Sequence, residues 1–327
     1  MKKSLGLLGA VAISTSLITG CGDTINQSDV SNAMVEAVVL PSYARLSTAS
    51  QELNLALQNL ANNPTQNTFK KAKSSWRSAR KTWEVTETWA YGPAETLDFD
   101  PNLDDWPVST NELGSTLDSK SDFNAQTLQK LDTTSRGFHG IEYVLFGRDN
   151  NLVDDLSSNE LAYLLSAGED LETNANGLLE AWSGSEGFGS TVVKSNPSNA
   201  IADILAGMEG CLAEVADGKL GGAFDTNDSG ELESTFSGNT GTDIVFNIKG
   251  VKTAWEKSKL KEYASSKNNE LSSTLSNQID ESLKLANKLP AALNDQLTNE
   301  STKETVDKLR TVLTSAAETA VSLASEL

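Results

Sequence analysis

The chain has 327 residues and one histidine, His139, which stands in the stretch Ser135-Arg136-Gly137-Phe138-His139-Gly140-Ile141-Glu142. On a helix, His139 and Glu142 lie three residues apart on one face, so an imidazole and a carboxylate can share a cation or a hydrogen bond. Gly137 and Gly140 carry no side chains, which leaves room for another element or a ligand to come close. Upstream, Trp76, Arg80, Trp83 and Glu87 follow spacings of four, three and four and form a single helical stripe. A charged pair between two tryptophans is odd for a stripe that only fills a core. Buried charge is costly unless paired, so Arg80 and Glu87 should meet partners inside the protein. Asp104 and Asp105, just before Trp106-Pro107, are the candidates from the intervening loop.

The elements that must position these groups are helices. Residues 29–62 place apolar side chains at three- and four-residue intervals, with Pro41 as a kink, and Asn63-Pro64 supplies a stop and a new start. The next helix spans 65–91 and closes at Gly92-Pro93. A loop-like stretch over 92–121 carries Pro93, Pro101, Pro107 and many Asp and Asn residues, and the histidine segment follows as a short helix. Helical spacing returns over 159–182 and 197–218, where Ile201, Ile204, Met208, Leu212 and Val215 make a stripe. Residues 184–196 and 218–240 read as loops, and further helices fit 241–260, 262–289 and 299–326. No alternating β-branched run makes a strand. The reading is an all-α chain of two fused helical bundles, 29–190 and 191–327. The related stretches AKSSWRS at 72–78 and VKTAWEK at 251–257 suggest an internal duplication.

The N-terminus sets the compartment. Lys2 and Lys3, a short apolar run and then Ile18-Thr19-Gly20-Cys21 have the layout of a bacterial secretory signal over 1–20, with Cys21 as the lipidated first residue and 21–28 as its tether. Gly22 follows the cysteine, with no aspartate there to hold the protein at an inner membrane. The expectation is therefore a lipoprotein of the bacterial cell envelope, on the outer membrane, bound to the membrane through Cys21. Without residues 1–20 the chain has 24 Lys and Arg against 45 Asp and Glu, a formal net charge of −21. That balance argues against nucleic acid as a partner. The other cysteine is Cys211, so the processed chain forms no internal disulfide and its core must hold by packing.

Several motifs in order carry a family resemblance: Gly137-Phe138-His139-Gly140-Ile141-Glu142, Trp76-x3-Arg80-x2-Trp83-x3-Glu87 with Gly92-Pro93, Asp105-Trp106-Pro107, and ELESTFSGNTGTDIVFNIKGVKTAW at 231–255. Over residues 29–326 the chain resembles the imelysin family of bacterial exported proteins, whose hallmark is a Gly-x-His-x-x-Glu motif. The resemblance implies an all-α fold of two bundle-like halves and an association with iron acquisition. It also implies a metallopeptidase alternative, since the family was first described that way.

A zinc peptidase ordinarily fixes its metal with two histidines and a carboxylate and keeps another glutamate as base. One imidazole allows only a site completed by oxygen, with His139 and Glu142 as ligands, Glu87 and Asp105 completing the set, and Arg80 orienting a carboxylate. Trp76, Trp83, Gly137 and Gly140 support it. Such donors suit iron, with copper or zinc also open. No catalytic base can be named. Three uses stand side by side: binding of iron, another metal or an iron compound for an uptake-system protein; a peptidase on the same site; and an interaction module in which His139 simply fastens its helix through Glu142. Asp225, Asn227, Ser229 and Gly230 match part of a calcium loop, but Phe236 stands where a bidentate glutamate belongs, so the segment reads as a polar loop.

Overall fold

The computed structural model describes residues 25–119, 123–148 and 152–327, so the signal segment 1–20 and Cys21 lie outside the described residues. Among the described residues the chain is helical, with no strand. Fifteen α-helices among the described residues are joined by turns of 3-10 and π type. The first, α1 (Gln27–Ala33), is capped by Asn26, whose side chain accepts from the amides of Ser28 and Asp29. It runs through a π-turn, Met34–Val39, into α2 (Leu40–Asn62). The widened turn comes immediately before Pro41, whose missing N–H cannot serve the usual helical bond, so the expected irregularity takes the form of a π-turn.

Thr65 caps α3 (Gln66–Glu84), and a 3-10 turn at Glu87–Trp89 ends that arm. The stretch over 92–121 is not the extended loop expected from its prolines. It holds α4 (Pro93–Thr96), α5 (Phe99–Asp104) and α6 (Thr110–Asp118). Proline suits the first turn of a helix, where its missing N–H costs nothing, and Gly92 and Asp98 take positive φ between these short pieces. Then come α7 (Ala125–Leu128), α8 (Gly137–Phe146), which carries the histidine, and α9 (Ser158–Trp182), opened by a Ser157–Glu160 capping box.

In the second half, α10 (Pro197–Ala213) continues through a π-turn at Glu214–Gly221 into α11 (Gly222–Thr226). The chain thus stays helical beyond residue 218, where glycines suggested a loop, because Val215, Ala216, Leu220 and Ala223 still bury one face. The segment 184–196 likewise contains a π-turn, Gly189–Val193. After α12 (Thr240–Lys257), the helix expected over 262–289 is two, α13 (Leu260–Lys267) and α14 (Asn269–Ala286). Asn268 separates them by leaving helical geometry and capping the Leu271 amide. The last helix is α15 (Glu300–Ala324).

Helix α2 packs along α3 and α9, and α8 lies on α3 and α9. α15 packs on α10 and α14, while α12 touches α3, α10 and α14 and so joins the two sets. One continuous apolar core runs through both, from Leu46 and Trp76 to Trp255 and Leu313. The functional side chains gather where α3, α5, α8, α12 and the π-turn before α11 converge.

Candidate metal centre

The Gly-x-His-x-x-Glu motif is built by close packing. Gly137 has φ of 60°, and a Cβ there would lie 2.3 Å from the carbonyl oxygen of Leu103 at the end of α5. At Gly140 a Cβ would meet the Tyr163 hydroxyl, which donates to the Ser135 carbonyl at 2.9 Å. The room left by both glycines is thus taken by protein. Trp76 ties α3 to α8 through an indole N–H donated to the Phe138 carbonyl at 2.9 Å. Trp83 donates its indole N–H to Asp104 Oδ2 at 2.5 Å. The two tryptophans therefore hold α8 and α5 against α3, at the depth where Arg80 lies between them on the stripe.

His139 is buried and its two ring nitrogens meet different groups. Nδ1 lies 3.0 Å from Glu142 Oε2, and the other oxygen of Glu142 accepts from the Ser237 amide at 2.8 Å. Nε2 lies 3.2 Å from Asp104 Oδ1 without completing a hydrogen bond. Asp104, His139 and Glu233 each offer a ligand atom within 4.8 Å of one another. A second group, Glu84, Glu87, Asp104 and Glu233, satisfies the same limit.

Two cations enter this nest of acids. Arg80, fully buried, approaches Glu84 Oε1 at 2.5 Å and Glu233 Oε1 at 3.0 Å and also pairs with Asp104. Lys219 comes from the π-turn Glu214–Gly221, with Nζ at 3.1 Å from Glu84, 2.8 Å from Glu87 and 2.9 Å from Glu233. Burial works against both charges, but the surrounding glutamates hold the pKa of each above its ordinary value. Asn247 donates to Glu84 Oε2 at 2.8 Å and to Glu87 Oε2 at 2.5 Å.

Burial pushes Glu87 well above the usual carboxylate range, and Glu84 adds to the effect. Burial raises Asp243 to about 8, with Glu84 adding to it. For Glu233 burial acts upward, yet Lys219 and Arg80 bring it down to about 2. Five carboxyl groups, Glu84, Glu87, Asp104, Glu142 and Glu233, thus gather here and outnumber the two cations Arg80 and Lys219.

A cleft of about 750 Å³ opens onto this group, with Glu87, Asp104 and Glu233 in its wall. Glu95, Asp100, Asp105, Asp203 and Glu214 also line it, and among the described residues no lysine or arginine does. Burial and the neighbouring Glu214 and Glu95 lift Asp100 to about 6. Tyr91, Trp106 and Phe188 supply aromatic wall.

Of the four residues expected as ligands, the fold brings His139 and Glu142 together but sets Glu142 on the far ring nitrogen from Asp104. Glu87 belongs to the second carboxylate group and touches Lys219. Asp105 turns aside and accepts from Thr133 Oγ1. Its neighbour Asp104 is the one that faces the imidazole. Arg80 pairs with three carboxylates, Glu84, Asp104 and Glu233. Sequence reading missed Glu84, Lys219 and Asn247 and left Glu233 unplaced. Glu84 was signalled by its position four residues after Arg80, and Lys219 by falling on the buried stripe four residues after Val215. Asp225, in the polar loop that resembled a calcium site, pairs with Arg310 at 2.7 and 3.1 Å.

The donor set fits a hard or borderline cation, with one nitrogen and several carboxylate oxygens. Residues 39–320 match the family profile for imelysin. The chain is 30% identical over 263 residues to iron-regulated protein A of Synechococcus elongatus, covering 76% of this chain and 69% of that protein. Among solved structures, a protein from Parabacteroides distasonis assigned as an iron-regulated protein A precursor superposes with a TM-score of 0.80 at 23% identity, covering 93% of this chain and 97% of that one. An imelysin-like protein from Psychrobacter arcticum gives a TM-score of 0.73 at 18% identity, covering 90% and 94%. The fold agrees with both, and the match over most of its length shows that the chain belongs to the imelysin family.

Proposed function

We propose that the protein binds a metal cation, iron foremost, as cargo in iron acquisition, with His139 Nε2 and the carboxylates of Asp104 and Glu233 as its ligands. One observation carries the reading. Nε2 completes no hydrogen bond and faces Asp104 Oδ1 at 3.2 Å. With Nδ1–H donated to Glu142, Nε2 presents a lone pair to a carboxylate, and two acceptors at that distance repel unless a cation or a proton lies between them. The excess of carboxyl groups around Arg80 and Lys219 favours a cation. So does the acid-lined cleft, which favours an aqua ion over an anionic chelate. The name of the Synechococcus relative supports iron as the metal.

Glu142 serves in this reading to fix the imidazole tautomer and orientation, as carboxylates behind metal-bound histidines do. Arg80 and Lys219 hold the carboxylates apart and in place. The same observation admits a rival in which His139 is doubly protonated and clamps Asp104 and Glu142 without metal. Calorimetry with ferrous iron under anaerobic conditions, and with copper and zinc, separates the two. The expected result is one site whose affinity falls by roughly 10- to 100-fold in His139→Ala. Equal binding by the variant, or none by the wild type, would falsify the metal reading. Metal should also raise the melting temperature of the wild type and not of the variant.

We place the protein at the cell envelope, tethered by lipid at Cys21. No helix among the described residues is long and apolar enough to cross a membrane. Labelled palmitate incorporated by the wild type and absent from Cys21→Ser is the expected result; an unlabelled wild type sinks the tether.

A further inference from the structure

Lys81 on α3 and Val85, the helical residue just after it, each follow one residue behind Arg80 and Glu84, and about 100° of helical rotation turns them to another side of the helix. There α2, α3 and α12 enclose a groove of about 450 Å³. Its floor includes Val85 and Phe246, and its walls carry Arg45, Lys81, Lys249, Lys252 and Lys257 against one acid, Glu256. Lys252 is paired with Glu256 at 3.2 Å and also with Asp280. Arg45, Lys81, Lys249 and Lys257 form no ion pair among the described residues. In a chain where acids outnumber bases 45 to 26, four unpaired cations around one concavity are a local reversal of the protein's field.

The cations converge. Lys249 Nζ lies 4.1 Å and Lys81 Nζ 5.7 Å from the centroid of the same Phe246 ring. Ammonium groups act as rotatable point charges and suit the spread charge of a phosphate. A ring or chain attached to it would lie against Phe246 and Val85. A pocket of this volume is the size of a small-molecule or headgroup site, far smaller than the extended patch that binds a folded protein.

We propose that this groove binds a phosphate group carried on a nonpolar body, with Lys81 and Lys249 as the anion's direct partners. A soluble phosphate ester and an anionic lipid headgroup offer the same chemistry. The site is independent of the metal centre, so either reading can fail without the other.

The test uses metal-free protein at low salt, titrated with phenyl phosphate, and in a separate arm sedimented with vesicles of phosphatidylglycerol or of phosphatidylcholine. Phenyl phosphate should bind at one site, and the double variant Lys81→Gln/Lys249→Gln should lose about tenfold or more in affinity. Lys308→Gln, which alters an exposed lysine of α15 paired with Glu304, should bind as the wild type does. Phe246→Leu should weaken phenyl phosphate more than inorganic phosphate. Retention only on phosphatidylglycerol, abolished by the double variant, assigns the groove to a lipid headgroup instead of a soluble ester. Failure of both arms, or binding that the double variant leaves intact while its melting curve matches the wild type, overturns the proposal.

Discussion

The buried acid cluster behind the cleft and the basic groove draw partly on the same two helices, α3 and α12, yet they treat charge in opposite ways. Behind the cleft, Arg80 and Glu84 are fully buried and paired, Arg80 with Glu84, Asp104 and Glu233 and Glu84 also with Lys219. At the groove, Arg45 and Lys257 are exposed and stand without a carboxylate. Water explains the difference. A cation left in solvent needs no partner, whereas one taken out of solvent costs several kcal/mol unless paired and hydrogen-bonded. Unpaired charge is therefore cheap at the groove and costly at the cleft. Behind the cleft, carboxyl groups outnumber the cations Arg80 and Lys219, a specific feature that a bound cation would relieve.

The largest effect should come from breaking the buried side of this contrast. Arg80→Ala leaves Glu84, Asp104 and Glu233 without their shared guanidinium and should destabilise the fold by about 3–5 kcal/mol in urea denaturation. A loss near zero would mean that the carboxylates protonate or that metal replaces the arginine. Next, the adjacent aspartates should part company. Asp104→Asn should weaken metal binding by about tenfold or more by calorimetry. Asp105→Asn should leave affinity unchanged and cost about 0.5–1.5 kcal/mol for its hydrogen bond with Thr133. Loss of binding by Asp105→Asn alone would restore the assignment expected from sequence.

The pH response is a smaller effect with a definite sign. Asp243, ordinarily at 3.8, is held at about 8, so the folded chain keeps a proton that the unfolded chain releases between those values. Its contribution to stability is fully present below about pH 4 and is lost as pH rises to about 8. Glu233 has the opposite sense: depressed from 4.5 to about 2, it contributes above its ordinary value and loses that contribution as pH falls toward 2. Melting temperature in the metal-free protein should therefore fall from pH 5 to pH 8, and Asp243→Asn should flatten the decline by about 2 °C or more. An unchanged slope would place the titration elsewhere. Smallest of all, Lys81→Gln should shift stability by no more than about 0.5 kcal/mol, since Lys81 is only partly buried and forms no ion pair among the described residues. A larger loss would show that the groove's cations do structural work.

Legibility followed physical range. Long helices such as Ser158–Trp182 and Glu300–Ala324 were readable because apolar side chains recur at helical spacing and the caps Ser157 and Asn299 mark their starts. The short helices between Pro93 and Asp118 were not, because four to nine residues are too few for periodicity to outweigh proline and aspartate. The pairing of His139 with Glu142 was legible because three residues on one helix must be neighbours. The choice between Asp104 and Asp105 was not: they adjoin at the end of α5, and only the packing of that helix on α8 and α9, where Arg80 and Trp83 of α3 reach Asp104, decides which one faces inward.

By itself, then, the sequence determined what is local or additive: an all-α chain, an acidic surface charge, one imidazole paired with a carboxylate, and a stripe that must bury an arginine. Tertiary structure alone decided what joined that arginine. Glu84 lies one turn along the same helix, but Asp104, Glu233, Lys219 and Asn247 come from four other segments. Their meeting depends on how α5, α12 and the turns before α11 and α12 pack, which no spacing along the chain encodes.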